Sequence, residues 1–167
     1  GGLESGISAS TQSVFLESAC FNPSYIRRTS RRHQLFTDAS FRYERGSDFN
    51  ITIYALKRAA ILLQEIAGAN VSSEIKDAYP SEIEPVKVDL RYSQVKRLVG
   101  QFIPKRRILS ILQNLEYQIL RESPQSLLIS VPSCRVDVTR EADVIEDILR
   151  INGYNRIAFR EELHTSL

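Results

Sequence analysis

Methionine is missing from all 167 residues, cysteine occurs only twice, and the two signs of charge nearly cancel. Each scarcity removes a class of protein. Cys20 and Cys134 lie far apart, one in an apolar run and one near Pro132, so neither a disulfide framework nor a paired-thiolate metal site is indicated. A reducing, cytoplasmic setting is the simplest one. With 22 Lys plus Arg against 20 Asp plus Glu, the formal net charge is +2, too small to argue for nucleic-acid binding by totals. Only a local basic patch could carry that argument. Apolar runs such as Ala59 to Leu63 are short, whereas a membrane helix needs roughly 18 residues, and no secretory leader is recognisable. The lack of methionine, with the turn-like opening Gly1-Gly2-Leu3-Glu4-Ser5-Gly6, reads as a piece taken from a longer chain.

What is present is ordinary globular material, 43% hydrophobic and 25% charged, enough for one good core or two modest ones. Val14 to Phe21 is a short apolar run with Glu17 as its one formal charge, a pattern that predicts a buried strand. Asn22-Pro23 then supplies an N-cap and a proline for the first turn of a helix reaching His33. Arg27, Arg28, Arg31 and Arg32 share one side of it. After a predicted loop through Thr37 to Ser40 and Arg45-Gly46, residues 50–67 repeat apolar side chains at helical spacing and stop at Gly68.

Tyr79-Pro80 and Glu84-Pro85 bracket the best linker in the sequence, at 80–85. Beyond it, Val86 to Leu90 alternates like a half-buried strand, and helices are expected over Tyr92–Val99 and Pro104–Leu115. A hairpin over Tyr117–Glu122 and Ser126–Val131 and a last helix over Arg140–Ile151 complete the set. Strand, helix, helix, hairpin and helix is an α+β arrangement close to a winged helix. No internal repeat or low-complexity segment is seen.

Two constellations carry chemistry on their own. Asp137, Asp143, Glu146 and Asp147 group hard oxygen ligands of the kind magnesium takes; acids in a first helical turn also serve the helix dipole with no metal at all. The four arginines could grip nucleic-acid phosphates, or form a solvated face paired with acids such as Glu44 and Asp48. A separate basic set, Lys96, Arg97, Lys105, Arg106 and Arg107, keeps open a winged-helix nucleic-acid-binding module, and a purely structural interaction domain is a third reading.

Three stretches together resemble the beta-subunit family of bacterial phenylalanyl-tRNA synthetase, over roughly Gly1 to Ile157. They are Gly1-Gly2 with Ser5-Gly6-Ile7; Phe15-Leu-Glu-Ser-Ala through Arg31-Arg32-His33 and Thr37-Asp-Ala-Ser to Tyr43-Glu-Arg-Gly-Ser-Asp48; and Val131-Pro-Ser-Cys-Arg-Val-Asp-Val through Asp143-Val-Ile-Glu-Asp147 to Gly153-Tyr154-Asn155.

The resemblance implies that 1–79 is the C-terminal part of a B3/B4 editing domain, a mixed sheet with helices. By the same token 86–157 is a small winged-helix-like B5 domain, and 158–167 begins a linker toward a catalytic-like core. It implies an editing pocket for mischarged tyrosine in which Glu17 reads the phenolic hydroxyl, Gly1 gives the ring room, and Thr37 and Ala39 line the far side. On the residues alone, Glu17 could instead point outward from an edge strand.

A hydrophobic pocket rejects an added hydroxyl poorly, so a second hydrolytic site that binds the hydroxyl positively is the physical answer. The same likeness implies a magnesium site at Asp137, Asp143, Glu146 and Asp147 shared with an alpha subunit, an alpha2/beta2 assembly, and phenylalanine tRNA as a partner, whose acceptor end the arginine face could hold. No phosphate-binding glycine loop occurs here, so ATP use belongs to the complete ligase and not to this segment. Neither His33 nor His164 is placed to serve as a hydrolytic base, and the segment by itself is expected not to edit.

Overall fold

The computed structural model describes residues 6–157, which divide into two compact units on either side of Ser81 and Glu82. Gly1 and the expected linker at 158–167 lie outside the described residues. No helix among those described is long and apolar enough to cross a membrane.

The first unit is three helices joined by irregular chain: α1 (Pro23–His33), α2 (Asp38–Tyr43) and α3 (Thr52–Ala67). Asn22 Oδ1 accepts hydrogen bonds from the Ser24 and Tyr25 amides at 3.0 and 3.4 Å, so α1 begins where its sequence cap stands. It ends on Gln34, which takes the left-handed conformation at φ 53°. α3 ends in the same way on Gly68, at φ 61°. The edge of one ring meets the face of the other where Phe21 packs on Tyr43, with centroids 5.0 Å apart.

Two expectations fail here. Val14 to Phe21 is not a strand, and no residue between 6 and 81 belongs to one. An apolar run becomes a strand only when a neighbour completes its ladder, and no neighbouring strand exists among the described residues of this unit. The predicted loop through Thr37 to Ser40 is instead the cap and first turn of the helix α2. Its capping box is built from Thr37 and Ser40, with Thr37 Oγ1 accepting from the Ser40 amide at 3.1 Å and Ser40 Oγ accepting from the Thr37 amide at 2.9 Å. Serine in place of the usual glutamate at the third helical position hid the signal.

The second unit follows the expected order: β1 (Lys87–Arg91), α4 (Tyr92–Val99), α5 (Lys105–Asn114), β2 (Gln118–Glu122), β3 (Ser126–Ser130) and α6 (Glu141–Asn152), then a short 3-10 turn at Tyr154–Arg156. The strands form one antiparallel sheet in the order β1-β3-β2, with Val88 opposite Ile129 and Leu90 opposite Leu127. A bulge between Ile119 and Arg121 breaks the register of β2 against β3. Alternation in β1 turns Val88 and Leu90 inward and leaves Lys87, Asp89 and Arg91 outward.

Every buried apolar side chain of the described residues belongs to this unit. Leu90, Ile108, Ile111, Leu112, Leu127 and Ile129 meet Val144 and Ile148 of α6 in a single core. α6 carries three of the four acids, Asp143, Glu146 and Asp147, and its buried face fixes where they point, while Asp137 lies on the irregular chain before it.

Candidate functional site

The acidic set is organised by Arg135, a residue that sequence reasoning did not single out. Its guanidinium faces two carboxylates at once. Nε and Nη2 donate to the two oxygens of Asp137 at 3.1 and 2.9 Å, while Nη1 and Nη2 donate to Asp147 Oδ2 and Oδ1 at 2.5 and 2.9 Å. The Asp147 side chain is only 4% exposed, and its Oδ2 also accepts from the Tyr117 hydroxyl at 2.6 Å. The hydrogen bond from Arg135 holds the Asp137 carboxyl below the usual carboxylate range. Burial, then the hydrogen bond to Asp147, pushes the Tyr117 phenol well above its ordinary value, so it stays a donor.

Asp143 does other work. Its Oδ2 accepts from the backbone amides of Thr139 and Arg140 at 3.0 and 2.9 Å and its Oδ1 from the Arg140 side chain at 3.1 Å, which closes the first turn of α6. Those bonds, the Thr139 amide foremost, lower its carboxyl's pKa. Glu141 bonds Arg91 at the start of α4 at 2.7 Å; burial raises its carboxyl, and Arg91 brings it below its ordinary value. Glu146 is exposed.

Magnesium, which the sequence resemblance implies at Asp137, Asp143, Glu146 and Asp147, needs carboxylate oxygens free to face one point. Here both oxygens of Asp137 and Asp147 are taken by Arg135, and those of Asp143 by the helix start. Among the described residues no group of three or more His, Cys, Asp or Glu side chains is placed to hold a metal ion. The four acids as arranged do not fit the ion, and the reason is the arginine between two of them. Its sequence signal was its place two residues before Asp137, on the irregular chain leading into α6.

In the first unit, Thr37 and Ala39 stand together at the start of α2, Thr37 as its cap and Ala39 exposed within its first turn. Glu17 is exposed on the irregular segment ahead of α1, and not inside an apolar wall. Ser47 Oγ is buried with no hydrogen-bond partner, and the Cys20 thiol reaches the Ser47 carbonyl at 3.6 Å. Arg27, Arg28, Arg31 and Arg32 are all exposed on α1, and Arg28 lies over the Tyr25 ring at 5.8 Å.

Of the second basic set, Arg106 and Arg107 are exposed on α5. Lys96 and Arg97 flank an open hollow with Ser93 and Gly100. Lys105 instead sits over the Tyr92 ring at 4.5 Å and donates to the Pro124 carbonyl.

Comparison with known proteins matches residues 1–68 to the B3/4 domain and residues 88–154 to the tRNA synthetase B5 domain. The phenylalanine–tRNA ligase beta subunit of Bacteroides fragilis strain YCH46 is 52% identical over all 167 residues, which cover 20% of that protein. Its counterpart in Bacteroides thetaiotaomicron is 50% identical over the same span and share. That of Geobacter metallireducens is 44% identical over 157 residues, 94% of this chain and 20% of that protein. The chain spans about a fifth of the length of these curated relatives. It belongs to the phenylalanine–tRNA ligase beta-subunit family, as a segment that joins B3/4 sequence to a tRNA synthetase B5 domain.

Proposed function

We propose that this chain serves within a phenylalanine–tRNA ligase, its first unit contributing to hydrolytic removal of tyrosine mischarged onto the phenylalanine tRNA and its second to the contact with the alpha subunit. The observation that carries this reading is the succession of B3/4 and B5 matches in one chain, aligned end to end with beta subunits at half identity. Attachment of phenylalanine with ATP belongs to the complete alpha2/beta2 enzyme.

The chemistry asked of the first unit is recognition of one hydroxyl. A carboxylate accepts a hydrogen bond from the tyrosine phenol, whereas phenylalanine in the same place leaves it desolvated and unpaired. Glu17 is exposed, so its carboxylate is reachable by such a group, and the desolvation that tells the two amino acids apart would come from the substrate ring as it covers the carboxylate. Thr37 and Ala39, held at the capped start of α2, would supply the small and polar neighbours of that site. The exposed arginines of α1 would take tRNA phosphates as its acceptor end approaches.

The test is Glu17→Ala in the complete two-subunit enzyme, with hydrolysis of tyrosyl-tRNA(Phe) measured beside normal charging. Hydrolysis should fall by about one to two orders of magnitude while charging is kept. Unchanged hydrolysis returns Glu17 to a solvated surface position.

A further inference from the structure

We infer that Arg135 is the resident cation of the acidic corner beside α6, and that it excludes divalent metal there. The inference stands apart from the proposed editing role, since it concerns only the second unit and its own side chains.

The geometry is that of a filled site. One planar guanidinium makes two forked contacts, on Asp137 through Nε and Nη2 and on Asp147 through Nη1 and Nη2, all between 2.5 and 3.1 Å. Asp147 is almost wholly buried, and the Tyr117 hydroxyl occupies a further lone pair of its Oδ2. A divalent ion coordinated by these two carboxylates would need the same oxygens at roughly 2.0–2.1 Å and would bring waters with it. Arginine and ion cannot both face them. A guanidinium is weakly hydrated and always charged, so it suits a buried carboxylate better than an ion that gives up water reluctantly.

Of the remaining acids, Glu146 is exposed on α6 and belongs to no group of three or more ligand side chains among the described residues. Asp143 is spent on the Thr139 and Arg140 amides and on the Arg140 side chain. A metal could enter only if Arg135 swung away from both partners, which makes the arginine a gate on any metal chemistry at this corner.

The test follows thermal unfolding of the 167-residue chain in chelator and in millimolar magnesium, for the natural chain and for Arg135→Gln. The natural chain should melt at the same temperature in both. Arg135→Gln should melt lower in chelator and regain several degrees with magnesium, because the freed carboxylates then bind the ion and binding stabilises the folded state. A saturable rise in the natural chain's melting temperature overturns the inference, and so does a folded variant that ignores magnesium. Should Arg135→Gln fail to fold, the Arg135 Nε–H resonance of the natural chain decides. Its persistence unshifted as magnesium is added supports the closed arginine site, and a saturable shift with loss of exchange protection refutes it.

Discussion

Asp147 shows how one buried charge is made tolerable. A carboxylate removed from water costs several kcal/mol unless its lone pairs are filled, and Arg135 and Tyr117 fill them from two sides. Tyr117 is therefore more than a core aromatic, although it counts among the buried apolar residues. Tyr117→Phe keeps the ring's packing and deletes only the donor. It should lower stability by about 2 kcal/mol, the order expected for a hydrogen bond to a charged group, when urea unfolding of the chain is followed by circular dichroism. A change under about 0.5 kcal/mol would mean that Arg135 alone satisfies Asp147. None of this was legible in the sequence beyond the acids themselves. Tyr117 and Asp147 are thirty positions apart, and Arg135 reads as one more arginine until the fold turns it toward α6.

At the scale of the element, local patterns were legible wherever a segment carries its own signal. Asn22-Pro23, Gly68 and the Ser123–Gln125 turn each fix a boundary through backbone chemistry that needs no distant partner. The misses have the opposite character. Val14 to Phe21 needed a neighbouring strand to become one, and α2 depended on a serine in an unusual capping role.

The same scale separates two functions of the acids. Asp143 caps α6, so its removal should be felt in folding before chemistry. Asp143→Ala is expected to destabilise the second unit by about 1 kcal/mol, lowering the urea midpoint with little change in slope. An unaltered midpoint would show that the Thr139 and Arg140 amides find water as an equal substitute.

For the whole chain, apolar burial is unevenly shared. The second unit holds every buried apolar side chain among the described residues, while the first exposes Phe15, Phe36, Tyr54 and Ile66 by more than half of their surface. Burial of apolar surface is the main source of stability, so resistance to opening should follow the same division. Amide hydrogen exchange on the chain should show long-lived protons in β1, β3, α5 and α6, with the amides of α1 and α3 exchanging far sooner. Equal protection in both halves would contradict this account. The α+β class and the sequence of elements in the second unit were readable because hydrophobic period and turn chemistry agree there. The setting of Glu17 was not, since a single charge in an apolar run says nothing about which way the run faces.

The strand order β1-β3-β2 bears on how the chain is made. β2 and β3 are neighbours in sequence and can pair as soon as both exist, across a three-residue turn. β1 is synthesised first, yet its only partner among the described residues is β3, separated from it by residues 92–125, which include α4 and α5. On a growing polypeptide the earliest strand is thus the last to be used. Until the ribosome has released the β2–β3 hairpin, Val88 and Leu90 can meet only the apolar faces of α4 and α5, and the backbone ladder of β1 stays unpaired, so the sheet of the B5 domain must close in one late step.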